Sequence, residues 1–364
     1  MSAVTPTFAV VPGRNDRGQH VFSVIVKRTF RIGADGTVER AERDRELLRI
    51  DQYYEDGDPD WSTVQYESEL APYKPSTDLV VIGKAHAPGG RPTQQMAVSV
   101  TVGSRRKSLL ITGDRRCSHR EGAVPVFTDP APFTQLEINY LRAYGGRDER
   151  SMPEIPFMYP RNFMGNGVVL RNVAEVVEGL ALPNVEDPQD LLTPERLLIE
   201  DPARWHLQPL PQGLGWRQKT WYPRSALLGV YPAFTAPGTV TAEERMGLVP
   251  RNHIALAKQS KLPLLEAHFG NGASLGMIFA NFKQSSAIVL SGLTPEGEMK
   301  FTLPEQAPRI GLDLGSGLEQ LEARVHTVSI RPDEAELDMI WRGARIYPGY
   351  SWLPQMKRLH AEVV

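Results

Sequence analysis

The side chains best equipped for nucleophilic chemistry lie in Gly113-Asp-Arg-Arg-Cys-Ser-His119. Arg115, Arg116 and His119 beside Cys117 would lower a thiol pKa and favour the thiolate. A cysteine hydrolase also needs a group that orients the histidine and an oxyanion hole, and no spacing in the chain supplies either. The expectation is a thiol without catalytic duty, with a Cys117/His119 hydrolase as the alternative. Ser274, in Gly270-Asn-Gly-Ala-Ser-Leu-Gly276, has flanking glycines at the wrong spacing for a nucleophile elbow and reads as part of a tight loop. No two of the 8 histidines fall within one helical turn, so no imidazole pair is preset for a metal. Asp56, Asp58 and Asp60 are spaced like the start of a calcium loop, but Trp61 stands where the turn needs glycine, and a solvated acidic loop is the reading. Leu312-Asp-Leu-Gly-Ser-Gly317 has the glycines of a nucleotide-binding turn, yet too little chain follows to complete the βα units of such a sheet. No catalytic residue, metal or cofactor is expected.

Composition narrows the classes further. Lys+Arg 41 against Asp+Glu 43 gives a net charge of −2, which provides no electrostatic reason to expect nucleic acid or an anionic membrane as partner. With Cys 1 there is no intramolecular disulfide and no cysteine-based zinc site. No apolar run reaches the length of a membrane span, so no membrane insertion is expected. Met1-Ser-Ala-Val-Thr-Pro6 does not read as a secretory signal. A cytoplasmic location is the expectation.

The elements that would position these residues are mostly strands. Phe22, Val24, Val26, Phe30 and Ile32 alternate, which puts them on a core face and sends Lys27, Thr29 and Arg31 to water. Hairpins are predicted for Met96–Val102 with Arg105–Thr112, Ala287–Leu293 with Glu298–Leu303, and Arg324–Ile330 with Glu336–Arg342. Short helices are predicted after Thr193-Pro194 and at Thr241–Met246, with Ala255–Glu266 ambiguous because Pro263 interrupts it. The stretch 145–235 is dense in proline and glycine yet carries Trp205, Trp216 and Trp221, which need something to pack against, so it reads as an ordered wrapping segment and not a linker. The predicted fold is mainly β: antiparallel sheets in a sandwich-like arrangement, a few short helices and long Pro/Gly-rich irregular segments. The chain is expected to be one unit over 1–364, with possible sub-lobes 1–150 and 236–364 bridged by 151–235.

A set of landmarks runs through the chain in order. Lys74-Pro75-Ser-Thr77-Asp78 leads through an apolar run to Gly83 and Ala85-His-Ala-Pro88; Gly113-Asp-Arg115 follows. Then come Tyr140-Leu-Arg142-Ala-Tyr-Gly145-Gly146, Asn162 with Gly165-Asn-Gly167, Leu182-Pro-Asn184-Val-Glu-Asp187-Pro188 and Trp221-Tyr-Pro-Arg224. Phe301-Thr-Leu-Pro304, His326-Thr-Val-Ser-Ile330 and Met339-Ile-Trp341-Arg-Gly343 complete the series. In these residues the chain resembles the adaptor family of bacterial type VI secretion catalogued as domain of unknown function 2169. It departs from that pattern at Cys117, at Asn162-Phe163 and at Pro232-Ala-Phe234, and 235–282 fits least.

The resemblance implies a non-enzymatic adaptor or chaperone. It would bind a protein toxin, or the toxin's carrier, and aid its loading onto the secretion spike or its PAAR-type tip. The alternative within the same machine is a structural part of the spike. Read from the residues alone, Pro75 fixes the chain before a buried strand, and Thr77 and Asp78 bond backbone amides at its entry. Arg115, Arg142 and Arg224 read as struts to loop carbonyls or to carboxylates such as Glu186 and Asp187. Because 225–285 departs most from the pattern, its apolar residues are the expected partner-binding set: Tyr231, Phe234, Phe269, Met277, Phe279 and Phe282.

Overall fold

The computed structural model describes residues 8–15, 19–54, 61–151, 153–154, 156–222, 224–225, 270–280, 282–347 and 360–363. Asp56, Asp58, Asp60, Tyr231, Phe234, Phe269 and the helices expected at Thr241–Met246 and Ala255–Glu266 lie outside those residues.

The alternating pattern of His20–Ile32 makes it the long strand of the first sheet. Phe8–Arg14 pairs along one side of it and Glu336–Ile346 along the other, both antiparallel. The sheet continues through Arg324–Arg331 and Thr77–Val81 to Ile278–Phe279, with Val38–Arg40 added at the end of the long strand. Thr77–Val81 runs parallel to Arg324–Arg331, the one departure from the antiparallel expectation in this sheet. A second sheet takes the order Val185–Glu186, Arg105–Thr112, Gln95–Val102, Ala287–Ser291, Glu298–Thr302. All three predicted hairpins form. The fold is mainly β, with Ala174–Val177 the α-helix among the described residues. The turn expected to start a helix after Thr193 is a single 3₁₀ turn, Pro194–Arg196, with no cap bond from the Thr193 side chain.

The two sheets share one core. Leu79, Val81, Ile330, Met339 and Trp341 of the first meet Val100, Leu109, Ile111, Ile288 and Leu290 of the second. Farther along the long strand, Phe22, Val24 and Val26 pack on Ile310 and Leu312 of a third, small sheet. The opposite face of that strand corrects the sequence reading. Lys27 and Thr29 do not face water: Asp44, Arg45, Glu46 and Glu69 bond them, and both are buried. Burial is tolerated because every charge has a partner. Lys27 Nζ donates to Glu69 Oε1 at 2.7 Å and to Glu46 O at 3.0 Å. Thr29 Oγ1 donates to Asp338 at 2.7 Å, which also accepts from Arg331 at 2.8 Å. Arg31 is exposed, as expected.

The sub-lobe boundaries also need correction. Strands from 1–150 pair with strands from 236–364 in both sheets, so the two ends of the chain build the same layers and do not form separate lobes. The segment between them does more than wrap. Tyr144, Tyr159, Val169, Val177, Leu197, Trp205 and Tyr222 form a core of their own, into which Cys117 is also packed. Trp205, Trp216 and Trp221 are all buried, as their size required.

Candidate functional site: a buried ionic clamp

The landmark residues of the first half converge with loop residues from the far end of the chain. Thr77–Val81 lies inside the first sheet, which brings Asp78 to a fully buried position. Its carboxylate accepts four hydrogen bonds: from Lys74 Nζ at 2.7 Å, Asn271 Nδ2 at 3.0 Å, Gly272 N at 3.0 Å and Ala273 N at 3.2 Å. The backbone amides expected to bond Asp78 therefore come from a loop almost two hundred residues away, not from the strand's own entry. Thr77 Oγ1 donates to Val325 O at 2.7 Å and ties the strand to its parallel neighbour. Lys74 also donates to Thr327 Oγ1 at 3.2 Å, and its ammonium lies 4.8 Å from the centre of the Trp216 ring.

A second ion pair closes the clamp. Arg224 donates to Glu67 from both terminal nitrogens, at 2.7 and 3.1 Å, and also bonds Arg217 O. Burial pushes the Glu67 carboxyl up, but the Arg224 guanidinium beside it, with Lys74 and Lys219 nearby, outweighs this and holds it down at about 2. The Arg217 guanidinium donates to Ala273 O at 2.9 Å. His326, bonded through Nδ1 to Thr327 Oγ1 at 2.8 Å, is driven well below the usual histidine range by burial first and then by Lys74 and Arg342, so it sits neutral among the cations. Gly272 is needed at the centre, because a Cβ there would come within 2.6 Å of Glu67 Oε2 and 2.9 Å of Trp216.

This arrangement ties the buried strand, the far loop and the middle segment together. Asp78 accepts four donors and Glu67 accepts a two-pronged guanidinium. Ser274 is buried in the same loop, where its hydroxyl donates to Gly215 O at 2.9 Å and meets Tyr140 OH at 2.9 Å, so no base activates it. Cys117 differs from the electrostatic expectation. Burial, followed by the Glu178 charge, pushes its thiol up to about 11, and the flanking arginines do not offset this. Arg116 donates away, to Gly179 O at 2.8 Å, while the His119 amide donates to Glu178 Oε2 at 2.7 Å. The thiol is therefore held protonated near neutral pH.

The remaining landmarks are struts, as the residues implied. Arg115 donates to Glu186 at 2.7 Å and to Pro183 O at 3.0 Å. Arg142 donates to Asn184 Oδ1 and Asp114 Oδ1, both at 3.2 Å, and Asn184 donates to Thr112 O at 2.9 Å. Asp187 instead accepts from Gln189 N and closes its own turn. Gly145 and Gly146 adopt positive φ of 149° and 117°, and a Cβ on Gly145 would lie 2.1 Å from Asn162 O. Gly83 leaves room for Pro332, and Trp221 and Trp341 are buried. Glycine-rich Asp313–Gly317 is a turn: Asp313 Oδ1 accepts from the amides of Gly315, Ser316 and Gly317 between two paired strands.

Of the expected partner-binding residues, the described ones lie inward. Met277 and Phe279 are buried in the shared core, because Ile278–Phe279 pairs with Asp78 and Thr77 at the sheet edge. Phe282 is half-buried and stacks edge-on against Phe279 at 5.8 Å between ring centres. Met277 and Phe279 are thus core packing and not surface anchors, which corrects the expectation for these two. Sequence reasoning missed Glu67, Asn271, Arg217 and His326 as members of the clamp. The one signal available was Gly270-Asn-Gly-Ala, a glycine pair around an asparagine, which requires close packing against something.

A β-sandwich frame pinned by buried ion pairs defines the class of the molecule. The chain belongs to the family described as an uncharacterized protein conserved in bacteria (DUF2169), whose model matches residues 17–342. No curated protein and no solved structure matches it. Among the described residues no helix is long and apolar enough to cross a membrane.

Proposed function

We propose that this protein is a cytoplasmic adaptor that holds a protein toxin, or the toxin's carrier, and aids its loading onto a type VI secretion spike or PAAR-type tip. The observation that carries the reading is where the landmark side chains are spent. Lys74, Thr77, Asp78, Arg115, Asn184 and Arg224 all bond within the molecule, while four of the seven large apolar side chains left in water among the described residues sit between strands. Ile50 is 75% exposed, Trp61 62%, Leu207 52% and Val124 49%. A rigid frame that displays apolar loops supports binding over chemistry. The protonated, buried Cys117 thiol weighs against the hydrolase alternative.

The test is co-purification from the native donor cell, followed by deletion. Recovery of a toxin or spike component in stoichiometric amount, with loss of toxin delivery on deletion, is the expected outcome. Delivery unchanged in the deletion strain, with no such component recovered, would overturn the reading. Finding the chain outside the donor cell together with the spike would favour the spike-component alternative.

A further inference from the structure

A groove of about 650 Å³ opens between residues 122–125 and the middle segment, within the usual range of about 300–1,000 Å³ for ligand sites. Its floor is apolar, from Val177, Leu197 and Ile199, and its two lips carry the exposed side chains of Val124 and Leu207. Its charged side chains are mostly acidic. Glu195, Glu200 and Asp201 line it and are exposed, against a single cation, Arg204. The Glu195 carboxyl is held below its usual range by its own backbone N–H and then the Thr193 hydroxyl, so it is ionised at neutral pH. Gln208, also in the lining, donates its amide to Leu198 O at 3.5 Å and leaves Oε1 buried with no donor.

We propose that this groove takes an extended, basic peptide segment of a partner protein, with apolar side chains on the floor between Val124 and Leu207 and Lys or Arg side chains toward Glu195, Glu200 and Asp201. An extended segment alternates its side chains between two faces, so one strand-like stretch serves both the apolar floor and the acidic rim. Three carboxylates against one guanidinium select for positive charge, and that selection weakens with salt. The groove is built from the middle segment's core with residues 122–125 as one lip, and it does not involve the ionic clamp. The inference rests on the adaptor reading only for the identity of the protein that carries the segment.

The probe is a fluorescein-labelled decapeptide of alternating leucine and lysine, with a leucine/glutamate decapeptide as control, titrated into the full-length protein. Both carry a photo-crosslinking group. The lysine peptide is expected to bind at least tenfold tighter than the control and to crosslink within 122–125 or 194–208. E200K combined with D201K, both at exposed positions, is expected to weaken it at least tenfold with melting unchanged, and Leu207→Asp to do likewise. Equal affinity for the two peptides, or undiminished binding to the double-charge variant, would overturn the proposal. The cargo identified by co-purification separates the two readings. Capture by wild type and by the double-charge variant alike would sink the groove and leave the adaptor standing. Specific, charge-sensitive peptide binding in a protein that captures no secretion component would keep the groove and sink the adaptor.

Discussion

The two-sheet frame and the middle segment solve the same problem, burial of a chain rich in turns, by different means. In the frame, backbone ladders do most of the pairing, and the partners are far apart in sequence: Val26 lies opposite Trp341, and Leu290 opposite Val100. In the middle segment the ladders shrink to two-residue pairs such as Arg147–Asp148 with Phe157–Met158. Order there comes from aromatic packing and side-chain struts. Trp205 stacks edge-on against Tyr159 at 6.0 Å and Tyr222 at 5.7 Å, and the Arg161 guanidinium lies 4.8 Å from its ring centre. Irregular backbone is therefore compatible with a rigid interior, provided that large side chains replace the missing ladders.

The sharpest way to break this contrast is at the joint between the regions. Asp78→Ala leaves Lys74 buried without its counter-charge and strands three further donors, so a loss of about 5 kcal/mol is expected in urea denaturation. An effect under about 1 kcal/mol would show that the clamp does not hold the frame. Next in size is Trp205→Ala, expected to cost about 4 kcal/mol through the cavity left in the middle core. In limited proteolysis the wild type should stay uncut across 145–225 and the variant should be nicked there. Cleavage of the wild type into two stable fragments would turn the middle segment into a linker and dissolve the comparison.

A smaller effect reads out as pH dependence. The Glu67 carboxyl sits at about 2 when folded against an ordinary 4.5, so the folded state binds fewer protons there than the unfolded chain. The stabilisation is fully present above about pH 4.5 and disappears as pH falls through about 2, a contribution of about 3 kcal/mol. Wild type and Glu67→Gln should therefore differ most near neutral pH and converge in acid. A constant difference across that range would show that the Arg224 pair does not set the Glu67 charge. The smallest expected change is Cys117→Ala, about 1 kcal/mol in thermal melting, with partner capture intact. Abolished function with the fold retained would restore the hydrolase alternative.

The frame was legible because alternation survives in single strands: Phe22 to Ile32 and Met96 to Val102 declare their faces without any partner being known. What alternation could not reveal is whether the second face is covered. Lys27 and Thr29 read as solvent-facing because their counter-groups, Glu69 and Asp338, are tens and hundreds of residues away. The clamp was half legible. Lys74 and Asp78 stood out within one landmark, whereas Glu67 and Asn271 join them only through a tertiary approach that no local spacing encodes. The groove left no periodic trace, because its floor and lips come from three short stretches that are separate in sequence.

The pairing of His20–Ile32 with Glu336–Ile346 has a consequence for how the protein is made. About 300 residues separate the two strands. At roughly 5–20 residues per second, the ribosome needs roughly 15–60 s to deliver the second after the first has emerged. Through that interval the long strand carries a row of unmatched backbone groups and an apolar stripe, the state in which a nascent chain is most prone to join its neighbours. The neighbouring strand Phe8–Arg14 can pair early, since it directly precedes the long strand in sequence, and so covers one side of the long strand while the other waits. Shortening Phe8–Arg14 would thus be felt as lost yield during synthesis before it registered in the melting temperature of the finished protein.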